Sequence, residues 1–262
     1  MGLTRTIVNL AIKNQKIESF NTYLFVGPHP DDIEIGAGAT VSKLIKLKKK
    51  VVFLICTDGR FGRENLKEDL SEEQLIERRK EESIKSASYL GVSDVRFLDL
   101  CDGNNYKYED LLMGIASVIN DVKPDIIFGP DPDVSSECHK DHLNVGNAIK
   151  ELGNFANYKD IFAHYLPKDT LVNNGIDVKA IALFMTNKPN KFVRTYGHFK
   201  KQINALYIHS SQYPKNDKAT NAVVLYLKVR AVEYGFRTFS IPSEGFRMMN
   251  RTRMHCLPEA SK

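Results

Sequence analysis

Two short stretches hold side chains that can do chemistry together. Residues 28–32 read Pro-His-Pro-Asp-Asp, a histidine followed closely by two adjacent carboxylates, and residues 139–142 read His-Lys-Asp-His. Imidazole nitrogens and carboxylate oxygens are ligands of a catalytic zinc site, which takes three protein ligands and keeps one position open. His29 and Asp32 are three apart, as are His139 and His142, so each pair can turn toward one point. The expected ligands are His29, Asp32 and His142. Asp31, aimed differently from its neighbour, is placed to take a proton from an attacking water as a general base. His139 can act from across the site as a proton donor or as a cationic stabiliser of a developing oxyanion. Asp141 can hydrogen-bond a histidine and raise its pKa. The chemistry so described is metal-assisted hydrolysis of an amide or ester. Singly, each cluster also reads as a structural histidine beside a turn; two clusters with matching spacing favour the metal.

Both clusters follow apolar runs, Tyr23–Gly27 and Asp125–Gly129, that read as strands. Strands are also expected at Val51–Cys56, Val95–Leu98, Ile161–Leu166 and Val178–Met185. Helices are expected at Gly36–Lys49 (apolar face Val41, Leu44, Ile45 and Leu47), Glu109–Val122, 141–152, Phe199–His209 and Ala219–Tyr234. Ser71–Leu90 is the clearest helix, with a capping box from Ser71 to Gln74 and a stop at Gly91. Strands alternating with helices indicate an α/β, Rossmann-like, mostly parallel sheet flanked by helices, with a less regular C-terminal part. One domain over 1–262 is expected, its core about 22–155 and a substrate-shaping part about 156–262. In such sheets ligands bind at the carboxyl ends of strands where the strand order reverses. If the first and fourth strands are neighbours, the two clusters meet there.

Composition narrows the alternatives. With 262 residues, 42% hydrophobic and 26% charged, the chain can bury a sizeable core. The net charge of +5 comes mostly from scattered lysines. The one tight run, Lys46 and Lys48 to Lys50, falls at a helix end, where cations meet the helix dipole. No nucleic-acid partner is therefore expected. No apolar stretch reaches membrane-spanning length, so no membrane partner is expected either. Cys56, Cys101, Cys138 and Cys256 form no C-x-x-C pair, which points to free thiols and a reducing, cytoplasmic setting. Cys138, beside His139, reads as a packing thiol. The N-terminus carries no charged-then-apolar signal, and Met1–Thr6 fits a myristoylation pattern too short to carry weight.

The same residues resemble the PIG-L/LmbE-like zinc-dependent N-deacetylases. Pro28–Asp32 matches that family's (A/P)-H-P-D-D motif and His139–His142 its H-x-D-H motif. The resemblance continues through Gly36-Ala37-Gly38-Ala39-Thr40, Thr57-Asp58-Gly59, Arg79-Lys80-Glu81-Glu82 with Ala87 and Leu90-Gly91, and Asp102-Gly103. It ends at His209-Ser210-Ser211-Gln212 and Ser243-Glu244-Gly245-Phe246, and so runs from about residue 22 to 247. It implies one Zn2+ per chain on His29, Asp32 and His142, with Asp31 as base and His139 as acid or oxyanion stabiliser. It also implies a small-molecule substrate, an N-acetylated amino sugar or its conjugate, contacted by Arg79 and Asp102. Without the resemblance, Arg79 reads as a solvated helix charge and Asp102 as a turn former. One branch of the family has a Tyr two residues before the second-motif histidine; here that position is Glu137.

Three rival readings are weaker. A dinucleotide-binding loop at Gly36-Ala37-Gly38 would need a third glycine where Val41 stands. A metallo-phosphoesterase needs more carboxylates than the clusters supply. A non-catalytic metal- or sugar-binding relative would have no need of Asp31. His164, His198 and His255 read as structural or surface residues, and a homo-oligomer is compatible with the sequence.

Overall fold

A computed structural model describes residues 7, 10–66, 68–172 and 174–255; Cys256 and the Met1–Thr6 stretch lie outside them. Five strands run parallel: β1 (Thr22–Gly27), β2 (Lys50–Thr57), β3 (Asp94–Leu100), β4 (Ile126–Pro130) and β5 (Ala180–Phe184). Beyond β5, β7 (Ser243–Asn250) runs antiparallel to both β5 and β6 (Lys191–Arg194). The seven-stranded order is β3-β2-β1-β4-β5-β7-β6. The first and fourth strands are thus neighbours, and the order reverses between them.

Alternate residues along the strands feed two cores. Leu24, Val26, Leu54 and Ile127 pack with α3 (Tyr108–Val122) and α4 (Lys140–Phe155). Phe25, Phe53 and Phe128 face α1 (Asp32–Lys46) and α2 (Glu72–Leu90) on the other side. Phe25 pairs in register with Phe128, their rings stacked 4.3 Å apart, so the two site-bearing strands are held by a fully buried aromatic contact. The capping box of α2 is present, and Gly91 ends that helix at φ 97.

Some sequence expectations are corrected. α1 begins at Asp32, four residues ahead of the expected Gly36, because the Pro28–Asp32 cluster is itself the helix entry; it ends at Lys46, leaving Leu47 exposed. Ile161–Leu166 is not a strand: α5 spans Lys159–Ala163 and buries Phe162, and the turn that follows it buries Leu166. β6 and β7 escape the apolar-run criterion because β7 buries Glu244 and Arg247. Cys138 is exposed rather than packed.

Side chains from the C-terminal third grip the backbone of α1. Glu244 accepts from Ala39 N (3.2 Å) and Thr40 N (2.6 Å). Gln202, on α6 (Phe199–Leu206), donates to the carbonyls of Glu34 (2.9 Å) and Ile35 (3.1 Å). Such close approach requires small residues. A Cβ on Gly36 would lie 2.3 Å from the ring of Phe184. Gly36→Ala is therefore expected to lose about 1–2 kcal/mol net, overpacking outweighing about 1 kcal/mol of helix propensity. Urea unfolding checks this: an unchanged or raised midpoint would contradict the packing argument.

Candidate active site

β1 ends at Gly27 and delivers His29, Asp31 and Asp32 to the carboxyl edge of the sheet; β4, through a loop, delivers His139, Asp141 and His142 at the start of α4. Asp32 Oδ2 is the junction. It accepts from the backbone N of His29 at 2.9 Å and lies 3.2 Å from His29 Nδ1 and 3.4 Å from His142 Nε2. Donors bound to one zinc ion at about 2.1 Å with tetrahedral angles sit about 3.4 Å apart, so this spacing fits a metal. Nitrogen atoms of His29, His139 and His142 also lie within 4.8 Å of one another.

A second donor group overlaps the first: His29, Asp102, His139 and Asp141. Its carboxylates are already engaged. Asp102 Oδ1 is 3.0 Å from His29 Nε2 and accepts from Gly103 N at 2.7 Å. Asp141, fully buried, accepts from Gly103 N and Asn104 N, both at 2.9 Å, and is 3.3 Å from His29 Nε2. Asp141 is 3.7 Å from His139 Nδ1, so the histidine it hydrogen-bonds is His29. Asp102 and Asp141 together fix the ring of His29, as carboxylates behind metal-ligating histidines commonly do.

Asp31 sits beside the cluster at φ 125, a conformation that costs a non-glycine residue about 1–3 kcal/mol. Arg79 holds it there: one nitrogen reaches Asp31 Oδ2 (3.0 Å) and the Pro30 carbonyl (2.9 Å), another the Gly59 carbonyl (2.7 Å). A Cβ on Gly59 or Gly62 would lie 2.4 or 2.5 Å from that guanidinium, so both glycines make room for it. Thr57 fixes the Pro28 carbonyl from the end of β2, by its hydroxyl (2.8 Å) and its amide (2.9 Å). Arg79, readable from its neighbours as a solvated charge, is thus buried in the site.

The charges follow from this packing. Burial pushes the Asp31 carboxyl up, and although Arg79 pulls it down it settles at about 6. Burial alone would lower both His29 and His142. The bonds from Asp102, Asp141 and Asp32 instead hold His29 well above its ordinary value, and Asp32 pushes His142 up to about 9. Half-exposed His139 is held below its usual value by partial burial and by its two histidine neighbours. Against the effect of burial, His29 holds Asp102 below the ordinary carboxylate range.

Three residues were missed as site components. Glu137 Oε2 is 3.0 Å from His142 Nδ1, and its other oxygen accepts from His139 N at 2.8 Å; the only hint was its place two residues before His139. Glu34 is buried, accepts from Ser86 (2.6 Å) and lies 3.3 Å from buried His209. A carboxylate between Ile33 and Ile35 in a helix's first turn was the available signal. Tyr213 lines the cavity with His29, Asp31 and Arg79. Exposed His164 and His255 lie apart, and His198 pairs with Ser42 at 2.9 Å. The cavity measures about 480 Å³, and a second of about 260 Å³ adjoins it across Ile35 and Met185.

The sequence profile of the GlcNAc-PI de-N-acetylase (PIG-L) family matches residues 24–152. Over 252 residues the chain is 31% identical to a diacetylchitobiose deacetylase of Thermococcus kodakarensis, covering 94% of this chain and 90% of that protein. This chain belongs to the PIG-L family. It is an N-deacetylase, a hydrolase of amide bonds. It is also similar to a 1D-myo-inositol 2-acetamido-2-deoxy-alpha-D-glucopyranoside deacetylase of Kineococcus radiotolerans, 34% identical over 124 residues, 45% of this chain and 34% of that one. Among solved structures it resembles the N,N'-diacetylchitobiose deacetylase of Pyrococcus horikoshii in complex with an inhibitor. The TM-score is 0.84 at 28% identity, over 98% of this chain and 93% of that one. No described helix is long and apolar enough to cross a membrane.

A metal entering this cluster must displace protons from the histidines that the carboxylates hold charged. Divalent-metal affinity is expected to rise about ten- to hundredfold per pH unit between pH 6 and 8, for one or two protons released. Chelator competition at several pH values checks it; a pH-independent affinity would contradict the charge assignment.

Proposed function

We propose that this deacetylase removes the N-acetyl group of an N-acetylated amino sugar or its conjugate, releasing acetate, with one zinc ion held by His29, Asp32 and His142. The observation that carries this reading is the spacing about Asp32, 3.2 Å to one histidine and 3.4 Å to the other, with the Asp31 carboxylate beside that group rather than in it. Bound there, zinc would supply Lewis acidity, polarising the acetyl carbonyl and making water a better nucleophile near neutral pH.

The chain's own groups do the rest. Asp31, poised near neutrality by burial, takes a proton from water as the water oxygen bonds to the acetyl carbon. The carbon–nitrogen bond then breaks, and the proton passes to the departing amine. His139, half-exposed at the cavity rim and with its ring 4.6 Å edge-on to His29, serves the developing oxyanion and the leaving nitrogen. Arg79 and Asp102 border the cavity, and their bonds support positioning roles: Arg79 aims Asp31, and Asp102 with Asp141 orients His29. Glu137 does the same for His142.

The relatives that act on acetylated amino sugars support this substrate class. The adjoining cavity, walled by Phe199, Tyr234 and Gln202, has room for a substrate longer than one ring. Acetate release from free, phosphorylated, nucleotide-linked and oligomeric N-acetyl amino sugars tests the reading, with chelator and with zinc restored. Asp31→Asn is expected to keep one zinc per chain and lose about 10²–10⁴ in turnover. Zinc-independent release, or normal turnover in the variant, would overturn it.

A further inference from the structure

A positive charge without a counter-ion stands in the wall of the smaller cavity. Tyr226, Arg230 and Tyr234 follow one another at steps of four on α7 (Lys218–Thr238), so they share one face of that helix, and all three border the 260 Å³ space. Arg230 is half-buried. Its guanidinium donates to the hydroxyls of Tyr226 and Tyr234 and to the Thr186 carbonyl (2.9 Å). It also lies over both tyrosine rings, its central carbon 5.4 and 5.1 Å from their centres. These partners fix its position, and none of them is charged. Among the described residues no carboxylate pairs with it. Comparable guanidinium groups differ: Arg79 meets Asp31, Arg96 meets Asp94 and Arg247 meets Asp131. Taking a cation partly out of water costs free energy that an ion pair ordinarily offsets. A charge left half-buried and unpaired in a cavity wall calls for a partner from outside the chain.

The cavity's own carboxylates do not supply that partner. Glu244 is turned to the backbone of α1, where its oxygens accept from Ala39 and Thr40. Glu137 is turned to the catalytic cluster, one oxygen to His142 Nδ1 and the other to His139 N. A guanidinium carries more N–H groups than Arg230 uses on these neutral oxygens, so donors remain for a ligand. Tyr226 accepts from Arg230, which leaves the proton of its own half-exposed hydroxyl free to donate. Ile35, Met185 and Phe199 add apolar wall. Ile35 and Met185 also border the catalytic cavity, so a substrate whose acetamido group lies at the metal cluster extends into this space beyond its first ring.

We propose that this cavity is a subsite for an anionic group, a carboxylate or phosphate, borne by the amino-sugar conjugate on which the enzyme acts. Arg230 is its counter-ion and the Tyr226 hydroxyl a second donor. Placing that anion on the substrate rests on the amino-sugar reading of the catalytic site. The anion sits away from the acetyl carbon, so its charge-assisted bonds form in substrate and transition state alike. Uniform binding of this kind lowers KM and leaves kcat to the catalytic cluster. A neutral substituent in the same space would cover the guanidinium without pairing it. The subsite therefore discriminates against uncharged conjugates as well as favouring charged ones.

Matched pairs of N-acetylglucosamine derivatives test this: the 1-phosphate against the methyl glycoside, and the disaccharide with glucuronate against the disaccharide with glucose. With zinc-loaded protein, at least one anionic member is expected to exceed its neutral partner about tenfold or more in kcat/KM, mainly through KM. A preference confined to one pair supports the subsite and identifies the anion as phosphate or carboxylate. Arg230→Gln should erase the ratio, and Arg230→Lys, which keeps the charge, should restore part of it. Calorimetric titration of the zinc-loaded Asp31→Asn protein with the same compounds reads the subsite without turnover. Tighter binding of an anionic member there, with no acetate released by the parent enzyme, would support the subsite and overturn the amino-sugar reading instead. Acetate release from both members of each pair at equal kcat/KM would uphold that reading and overturn the subsite. A preference that Arg230→Gln leaves intact, or no binding of any of the compounds, would overturn the subsite too.

Discussion

One carboxylate oxygen joins the two halves of the site. Asp32 Oδ2 takes the His29 amide and lies within 3.4 Å of both a β1-side and a β4-side histidine ring, so it fixes one to the other. That contact requires β1 and β4 to be adjacent and in register, which the stacked Phe25 and Phe128 secure from below. It also requires α1 to start directly after the cluster. The entry turn is strained at Asp31, and the strain persists because Arg79, Thr57 and the glycines of the β2 loop hold the turn from several directions.

The same constraint explains why so many charges are buried at one edge of the sheet. Asp32, Asp102, Asp141 and Glu137 surround the rings of His29 and His142 and raise their affinity for protons, while Asp31 is paired with Arg79. Each member left alone would be costly in a low-dielectric interior; paired and hydrogen-bonded, they form a rigid and specific framework. Exchanging two histidine protons for a divalent ion would leave the net charge of this carboxylate-rich cluster unchanged, and this is the electrostatic sense in which its donors suit a metal. The C-terminal third takes part through Glu244 and Gln202, which hold α1 at its backbone.

The two clusters were legible because ligand-type residues recur with equal spacing after apolar runs, and the parallel sheet because those runs are fully buried and nearly continuous. The parts that were not legible share a physical cause. Arg79 stands among charged neighbours on α2, and only the arrival of the Gly59 and Gly62 loop buries it. β7 carries buried Glu244 and Arg247, whose partners Thr40 and Asp131 are more than a hundred residues away in the chain. Around Phe162 a short run of apolar residues fits both strand and helix, and periodicity alone does not choose between them. Polar burial is made by tertiary approach, and periodicity carries no trace of it.

Because His29 belongs to two overlapping donor groups, the position of the ion is the central claim. Anomalous diffraction at the zinc edge, from crystals of zinc-loaded protein, tests it directly. The account expects one full-occupancy peak within bonding distance of His29, Asp32 and His142, with the Asp31 carboxylate outside that distance and still bound to Arg79. A peak among Asp102, His139 and Asp141, or one ligated by Asp31, would contradict it.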